Sequence, residues 1–534
     1  MTRIGIDVGG TNTDAILLGD HAVLRHAKVA TTPDVLSGIL AALDALLRPP
    51  SADAAGADLA RVDGVMIGTT HFTNALLEER RLEPAAAIRL CLPASAALPP
   101  FTGWPEPIAR AIGGTYFLCH GGHEYNGSAI SPLDESEIRL AAKAIRESDI
   151  RSVAISSIFS SVTAELEKDA AALVTEEFPE ALVSLSHEVG RVGLLERENA
   201  TIVNASLRRM AMDLAKALRQ AIASFGLEAP AYLTQNDGTL MTLEYAEHYP
   251  VWTFASGPTN SMRGGAFLSG ISDCAVVDIG GTTTDIGILK NGFPREAANA
   301  ASIGGIRTNF RMPDVLSLAI GGGSIVSGDG SSVGPESVGY EITERARVFG
   351  GDTLTASDLA IAVGRTDFGD RSHVVDLDTN VAHAGLAWIE TQIGQALDRM
   401  KTRADPVPVV LVGGGSALLG DHLDGASSIT RPAHAAVANA IGAAIAQVGG
   451  VSDAVYSLAG TPREDALAQA KQEAIDRAVA AGSDPASVEV VDIEEVALSY
   501  LPGTAVRIKA KAVGDLVISR VDSPRALEDD ALRS

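Results

Sequence analysis

Two short stretches of the chain carry the same set of carboxylates, glycines and hydroxyls at the same offsets. Ile6-Asp7-Val8-Gly9-Gly10-Thr11-Asn12-Thr13-Asp14 and Val277-Asp278-Ile279-Gly280-Gly281-Thr282-Thr283-Thr284-Asp285 share Asp, Gly, Gly, Thr, Thr and Asp. Paired glycines let a turn tighten and bring backbone amides against a ligand, and amides with threonine hydroxyls make a nest for phosphate oxygens. A carboxylate at the strand end, Asp7 or Asp278, suits a hydrated magnesium ion rather than the phosphate itself. The alternative reading is a pair of structural hairpins with glycine turns. Repetition with matched apolar flanks favours two related lobes facing each other.

Each copy must be held by a strand, a tight turn and a returning strand. Other residues are suited to the same cleft. The apolar strand at 406–412 ends in Gly413-Gly414-Gly415-Ser416, a geometry against which a nucleotide's base and ribose can lie. Gly321 and Gly322, in the run 320–324, suit close backbone approach by a ligand or by another strand. In the strand-to-helix turn at 68–78, Thr70 and Asn74 could face the cleft, or Thr73 and Asn74 could simply cap the helix. Cys119, His120, His123 and Glu124 lack the spacing of a closed structural zinc site, so His123 and Glu124 are expected to touch substrate or solvent instead. In the helical stretch after 192, Asn199 shares a face with Glu196 and is the candidate site residue; the charged neighbours, Arg197 among them, read equally well as solvated.

Strand and helix alternate between 131 and 186, the pattern of parallel βαβ units, with Ser131-Pro132 as a helix start. Residues 84–131 read as irregular surface structure. The Ala/Gly helix at 432–446 carries Gly442, which would let it pack very close to a neighbour. Thr461-Pro462-Arg463-Glu464 has capping-box form, and the strands beyond it are expected to turn at Pro502-Gly503. The expected organisation is α/β: a first lobe at 1–190, a second at 191–450, and a small α/β appendage with a disordered tail at 451–534.

A chain of 534 residues with 46% apolar and 20% charged residues can bury more than one core. The formal charge of −25 argues against nucleic acid or an anionic membrane surface as partner. A bound nucleotide must then be held by amides, a metal and a few local cations. Three cysteines do not form a disulfide framework, and no charged-then-apolar leader precedes the first strand, so a cytoplasmic location is expected.

These motifs resemble the ATPase superfamily of actin, the heat-shock ATPases and sugar kinases. More specifically, the chain is similar to the A subunits of the hydantoinase/oxoprolinase family. That similarity rests on IDVGGTNTD (6–14), GTTHFTNALLE (68–78), LSHEVGRVGLLERENATIVNASL (185–207), NDGTLM (236–241), SGPTNS (256–261), VVDIGGTTTDIGILKNGFP (276–294), AIGGGS (319–324) and VGGGSALL (412–419). It implies two RNase-H-like lobes with ATP and Mg2+ in the cleft, Asp7 and Asp278 near the metal, both Gly-Gly-Thr turns on the phosphates and 413–416 by the adenosine. Asp14 and Asp285 become candidates for orienting substrate or catalytic water, or for bonding turn amides.

The family uses ATP to open cyclic amides such as hydantoins and 5-oxoproline, usually with a B subunit or domain. No Gly-x-Ser-x-Gly elbow, His-Glu-x-x-His pair or cysteine-nucleophile signature is present, so a B-like partner and hence an oligomer are expected. The competing readings are a small-molecule kinase, the ATPase subunit of a ketone carboxylase, and a chaperone-like reactivating ATPase.

Overall fold

The computed structural model describes residues 2–9, 12–19, 22–32, 35–48, 62–297, 301–458, 461–498 and 505–516. The first copy of the repeated phrase folds as β1 (Thr2–Val8) and β2 (Asn12–Gly19), antiparallel with Asp7 opposite Asp14. β3 (Ala22–Ala30) continues the meander, and β4 (Val62–Thr69) runs parallel to β1 on its other side. Side-chain alternation decides what each face meets. Ile4, Ile6, Val8, Ala15 and Leu17 enter a core with the helices Val35–Leu47 and Leu194–Ser224, whereas Ile16 and Leu18 face the helix Ala438–Ile445.

The next strands, β5 (Ala85–Leu92), β6 (Thr115–His120), β7 (Ser152–Ser157) and β8 (Leu182–Leu185), form a separate all-parallel sheet in the order β6-β5-β7-β8. This corrects the expectation of irregular structure at 84–131. All but the last residue of β5 is buried, so its sequence shows no polar alternation, and prolines flank it on both sides. The helix Glu135–Glu147 begins later than expected: Asp134 is its N-cap and accepts from the amides of Ser136 and Glu137, while the Ser131 hydroxyl donates to Leu92 O.

β9 (Ala231–Thr234) and β10 (Thr239–Thr242) rejoin the first sheet. The second copy of the phrase is β11 (Cys274–Ile279) and β12 (Thr284–Lys290), with Asp278 opposite Asp285. β13 (Phe293–Pro294), the small hairpin of β14 (Ala301–Ile303) and β15 (Ile306–Thr308), β16 (Val315–Leu318) and the pair β17 (Ser324–Val326) and β18 (Val333–Ser337) follow. β19 (Val407–Val412) lies parallel to β11, and β20 (Ala426–Thr430) parallel to β19. The run β13-β12-β11-β19-β20 therefore repeats the run β3-β2-β1-β4-β9 in order and direction. The sheets establish the duplication that the repeated motif suggested.

They do not, however, divide at 190 and 450. The first sheet has nine strands in the order β22-β23-β21-β10-β9-β4-β1-β2-β3, where β21 is Gln447–Ser457, β22 Glu489–Ala497 and β23 Ala505–Gly514. The stretch read as an appendage is thus the far end of the first lobe's sheet, covered by the helix Arg463–Ala480 through Ala466, Ala470, Ala474 and Ala478. That helix has Pro462 at its N-cap with no side-chain cap bond, so the expected capping box does not form. The Pro502-Gly503 turn and the tail after 522 lie outside the described residues.

The two lobes meet on a pair of crossing helices, Ser256–Ser269 and Ala438–Ile445. Gly442 makes the close approach expected of it, since a Cβ there would lie 1.8 Å from Asn260 O. Gly264 makes the reciprocal contact, 1.8 Å from Ala438 O, and a Cβ on Gly5 of β1 would lie 2.1 Å from Ala440 O.

Candidate functional site

The glycine contacts set the crossing helices against the ends of both hairpins, and two consecutive residues of helix Ser256–Ser269 exploit this. The Asn260 amide donates to Asp7 Oδ1 at 2.9 Å and to Thr234 Oγ1 at 3.0 Å, while the Ser261 side chain favours the charged form of Asp278. One helix therefore grips the equivalent aspartate of each lobe. From the other helix, Asn439 donates to Asp7 Oδ2 at 3.1 Å and to Asp14 Oδ2 at 3.0 Å, and Lys28 Nζ lies 2.8 Å from Asp14 Oδ1. Ser317 of β16 donates to Asp285.

The electrostatics follow from burial and like charge. Burial pushes the Asp7 carboxyl up to about 6; the Asp14 charge adds to the rise, and the bonds from Asn260 and Asn439 oppose it. Burial also pushes Asp278 up to about 6, and Asp285, Asp7 and Asp14 each raise it further, against the Ser261 side chain. Burial raises Asp285 as well, with Ser317 opposing. Asp7 and Asp14 of the first lobe thus lie near enough to Asp278 of the second to disfavour its charge. Such a group of hard oxygen donors, costly to charge together, suits a divalent cation.

Both turns close with the same bond, Gly9 N to Asn12 O at 3.0 Å and Gly280 N to Thr283 O at 2.9 Å. Gly10 and Thr11 lie outside the described residues. Thr13 and Thr284 are buried, and Thr284 Oγ1 donates to Ile320 O, so the exposed hydroxyl of the second turn is that of Thr283, with Thr282 partly exposed beside it. Gly321 and Gly322 resolve the choice left open by the sequence: the approaching group is backbone. Gly322 and Gly323 donate to Gly280 O and Gly281 O at 2.9 and 2.7 Å, and Gly321 N is bonded to Ser324 Oγ. Their amides are spent on bracing the turn rather than offered to a ligand. On the other flank Gly413 N is bonded to Ala435 O and Gly415 N to Ile279 O, whereas Gly414 is exposed with open space around its Cα. Ser416 begins a short 3-10 turn rather than a long helix.

Thr70 stands at the same sheet edge, its hydroxyl donating to Val8 O at 3.3 Å and accepting from Asn74 at 3.3 Å; neither Thr73 nor Asn74 caps the helix. Asn199 is tied elsewhere. It accepts from Trp104 Nε1 at 2.8 Å and donates to Arg307 O at 2.9 Å, and neither partner belongs to the two repeated hairpins. Its neighbours Arg197 and Glu198 are fully buried, not solvated; Glu198 pairs with the equally buried Arg89. His123 is buried and Glu124 exposed, while Cys119 sits in the core of the inserted sheet, its thiol pushed up to about 12 by burial. The grouping of potential metal ligands found among the described residues is His120 with Asp134 and Glu137, and it uses neither Cys119 nor His123.

Sequence reasoning missed Asn260, Ser261, Asn439 and Lys28. Asn439 left a signal, a lone amide within an otherwise apolar Ala/Gly helix, and Asn260 and Ser261 end the SGPTNS phrase.

The comparisons with known proteins fall on this geometry. Residues 3–178 match the hydantoinase/oxoprolinase N-terminal region, and residues 197–372 match hydantoinase/oxoprolinase. The chain belongs to the hydantoinase/oxoprolinase family. Among curated relatives, it is 30% identical over 390 residues to the caprolactamase subunit alpha of Pseudomonas jessenii, covering 68% of this chain and 54% of that protein. It is 26% identical over 400 residues to the acetophenone carboxylase gamma subunit of Aromatoleum aromaticum, covering 68% and 53%. The chain spans just over half the length of these two relatives. The crystal structure of ATP-dependent caprolactamase from Pseudomonas jessenii shares its fold, with a TM-score of 0.75 at 22% identity over 96% of this chain and 87% of that one. A nucleotide-free acetone carboxylase structure matches with a TM-score of 0.64 at 18% identity over 96% and 88%. No helix among the described residues is long and apolar enough to cross a membrane.

Proposed function

We propose that the chain is the ATP- and Mg2+-dependent subunit of an amidohydrolase that activates a cyclic amide, a lactam or hydantoin, for ring opening. The observation that carries this reading is the joining of Asp7 and Asp278, one from each duplicated hairpin, by consecutive residues of one helix. Such a site is built for positioning and charge neutralisation, which phosphoryl transfer requires and for which no covalent nucleophile is needed. Asp7 and Asp278 would hold the cation, Asp14 and Asp285 would orient water or the amide, and the turn at Gly281 to Thr283 with exposed Gly414 would face the nucleotide. A magnesium ion there would neutralise phosphate charge. An amide carbonyl is a poor electrophile. Transfer of the γ-phosphoryl to its oxygen gives ADP and an imidate phosphate; water adds to its carbon, the C–N bond breaks to leave the amine and an acyl phosphate, and a second water releases phosphate and the carboxylate.

Relatives described as subunits of larger enzymes support a partner that completes hydrolysis. ATP turnover by the purified chain, measured with lactams and hydantoins and with its partner added, tests the reading. Asp7→Asn and Asp278→Asn are each expected to lose ~100-fold or more of the Mg2+-dependent turnover while remaining folded; wild-type rates in either would overturn it. The 26% identity to the acetophenone carboxylase gamma subunit favours a second reading, the ATPase subunit of a ketone carboxylase. Turnover that depends on a ketone and bicarbonate, and not on a lactam, would select it.

A further inference from the structure

A cavity of about 390 Å³ lies apart from the hairpin turns, and none of the described hairpin residues lines it. It opens where the segment after β8, the β9–β10 turn, β21 and the loop carrying Arg311 come together. Its volume falls in the range of small-molecule sites. One wall is flat and aromatic: Tyr249 and Trp252 stack at 4.6 Å between ring centroids with an interplanar angle of 14°.

Charged side chains line the rest of the cavity or stand behind its lining. Glu296 pairs with Arg191 and, at 2.6 Å, with Lys509. Asp453 pairs with Arg507 at 2.6 Å, and Asp237 with Lys511 at 3.1 Å. These four cations engage those three carboxylates, and a fourth carboxylate, Glu188, lines the cavity and accepts from the Tyr249 hydroxyl at 2.9 Å. Arg311 is a fifth cation: among the described residues its guanidinium makes no hydrogen bond or ion pair, although it lines the cavity. Half-buried, its guanidinium has its pKa lowered by burial, and the carboxylates of Glu296, Asp453 and Asp237 oppose that lowering from beyond hydrogen-bond distance.

We infer that this cavity binds a small organic carboxylate, its charged group held by the Arg311 guanidinium and its flat body laid against Tyr249 and Trp252. A planar guanidinium fork matches a carboxylate with two parallel hydrogen bonds. Glu188, Asp237 and Asp453 also line the space and make it less suited to a phosphate dianion. The assignment is independent of the phosphoryl-transfer reading. The cavity is nonetheless linked to that site, because Gln235 and Asn236 follow directly on Thr234, which accepts from the Asn260 amide bound to Asp7.

Benzoate and benzamide, alike in shape and different in charge, provide the test on the full chain, read by titration calorimetry and by the emission of Trp252, one of three tryptophans. Benzoate is expected to bind and to change the emission, and benzamide to bind ~10-fold or more weakly. Arg311→Met should remove the preference and Arg311→Lys keep part of it. Equal binding of the two probes, no benzoate binding at on the order of 10 mM, displacement of benzoate by equimolar orthophosphate, or an unchanged preference in Arg311→Met would each overturn the assignment. The wild-type comparison of the two probes decides even if the variants do not fold.

Discussion

At the scale of single residues, Asp7 and Asp278 impose a pH dependence whose sign can be worked out. Each carboxyl ordinarily ionises near the value of an exposed aspartate, and here burial pushes each to about 6. A carboxyl whose folded pKa is raised is charged at a cost, so this cost is absent at low pH and grows as pH rises toward the folded value. The unliganded fold should therefore be relieved on acidification through about 6, whereas cation binding, which needs both carboxylates charged, should weaken over the same interval. The expected outcome is Mg2+-dependent ATP turnover that falls as pH drops through this window, and thermal stabilisation by Mg2+ that fades with it. Turnover flat from pH 8 to 5 would contradict the assignment of both residues as cation ligands. The repeated phrase exposed these two aspartates in the sequence. It could not expose Asn260 or Asn439, because a residue's role as a buried donor depends on what folding brings against it, and both partners lie over 250 positions from Asp7.

At the scale of elements, the crossing of helices Ser256–Ser269 and Ala438–Ile445 is what places those amides. A methyl group at Gly442 or Gly264 would lie 1.8 Å from a carbonyl oxygen of the opposite helix, and backbone cannot yield as a flexible side chain does. Gly442→Ala is expected to cost about 2 kcal/mol or more, in the manner of overpacking, and to separate Asn439 from Asp7. Gly257→Ala is the control: it lies in the same helix pair with nothing within 4 Å of its added Cβ, so a stability change of less than about 1 kcal/mol, or a gain from helix propensity, is expected. Chemical denaturation of both variants checks the contrast; similar midpoints would show that the helices can spread without loss. Gly442 could be read as a packing residue because it interrupts an alanine helix. The strand Ala85–Leu92 could not be read, since a strand covered on both faces loses the alternation that identifies strands, and the prolines beside it suggest a loop.

At the scale of the whole molecule, the nine-stranded sheet makes the strands between 447 and 514 part of the first lobe. β21 pairs in parallel with β10 and along ten positions with β23, so these strands extend the same hydrogen-bonded ladder that holds Asp7. The sequence presented residues after 451 as a separate piece because a helix and two strands follow a glycine pair, and pairing across some two hundred positions leaves no local trace. The two readings differ in a measurable way. An appendage could be removed with little effect, whereas removal of β21 to β23 would strip Lys509 and Lys511 from Glu296 and Asp237 and leave β10 as an open edge. A chain ending at 446 is expected to aggregate or to lose its single cooperative thermal transition, and to lose nucleotide turnover with it. Charge loss and strand loss can be separated, because Lys509→Met and Lys511→Met remove the pairs and keep the ladder. These variants should unfold at lower temperature but still cooperatively, as expected when one partner of a buried pair is removed. If the shortened chain instead melted as the full one does and turned over ATP at the same rate, the ladder beyond β10 would have no part in holding the site.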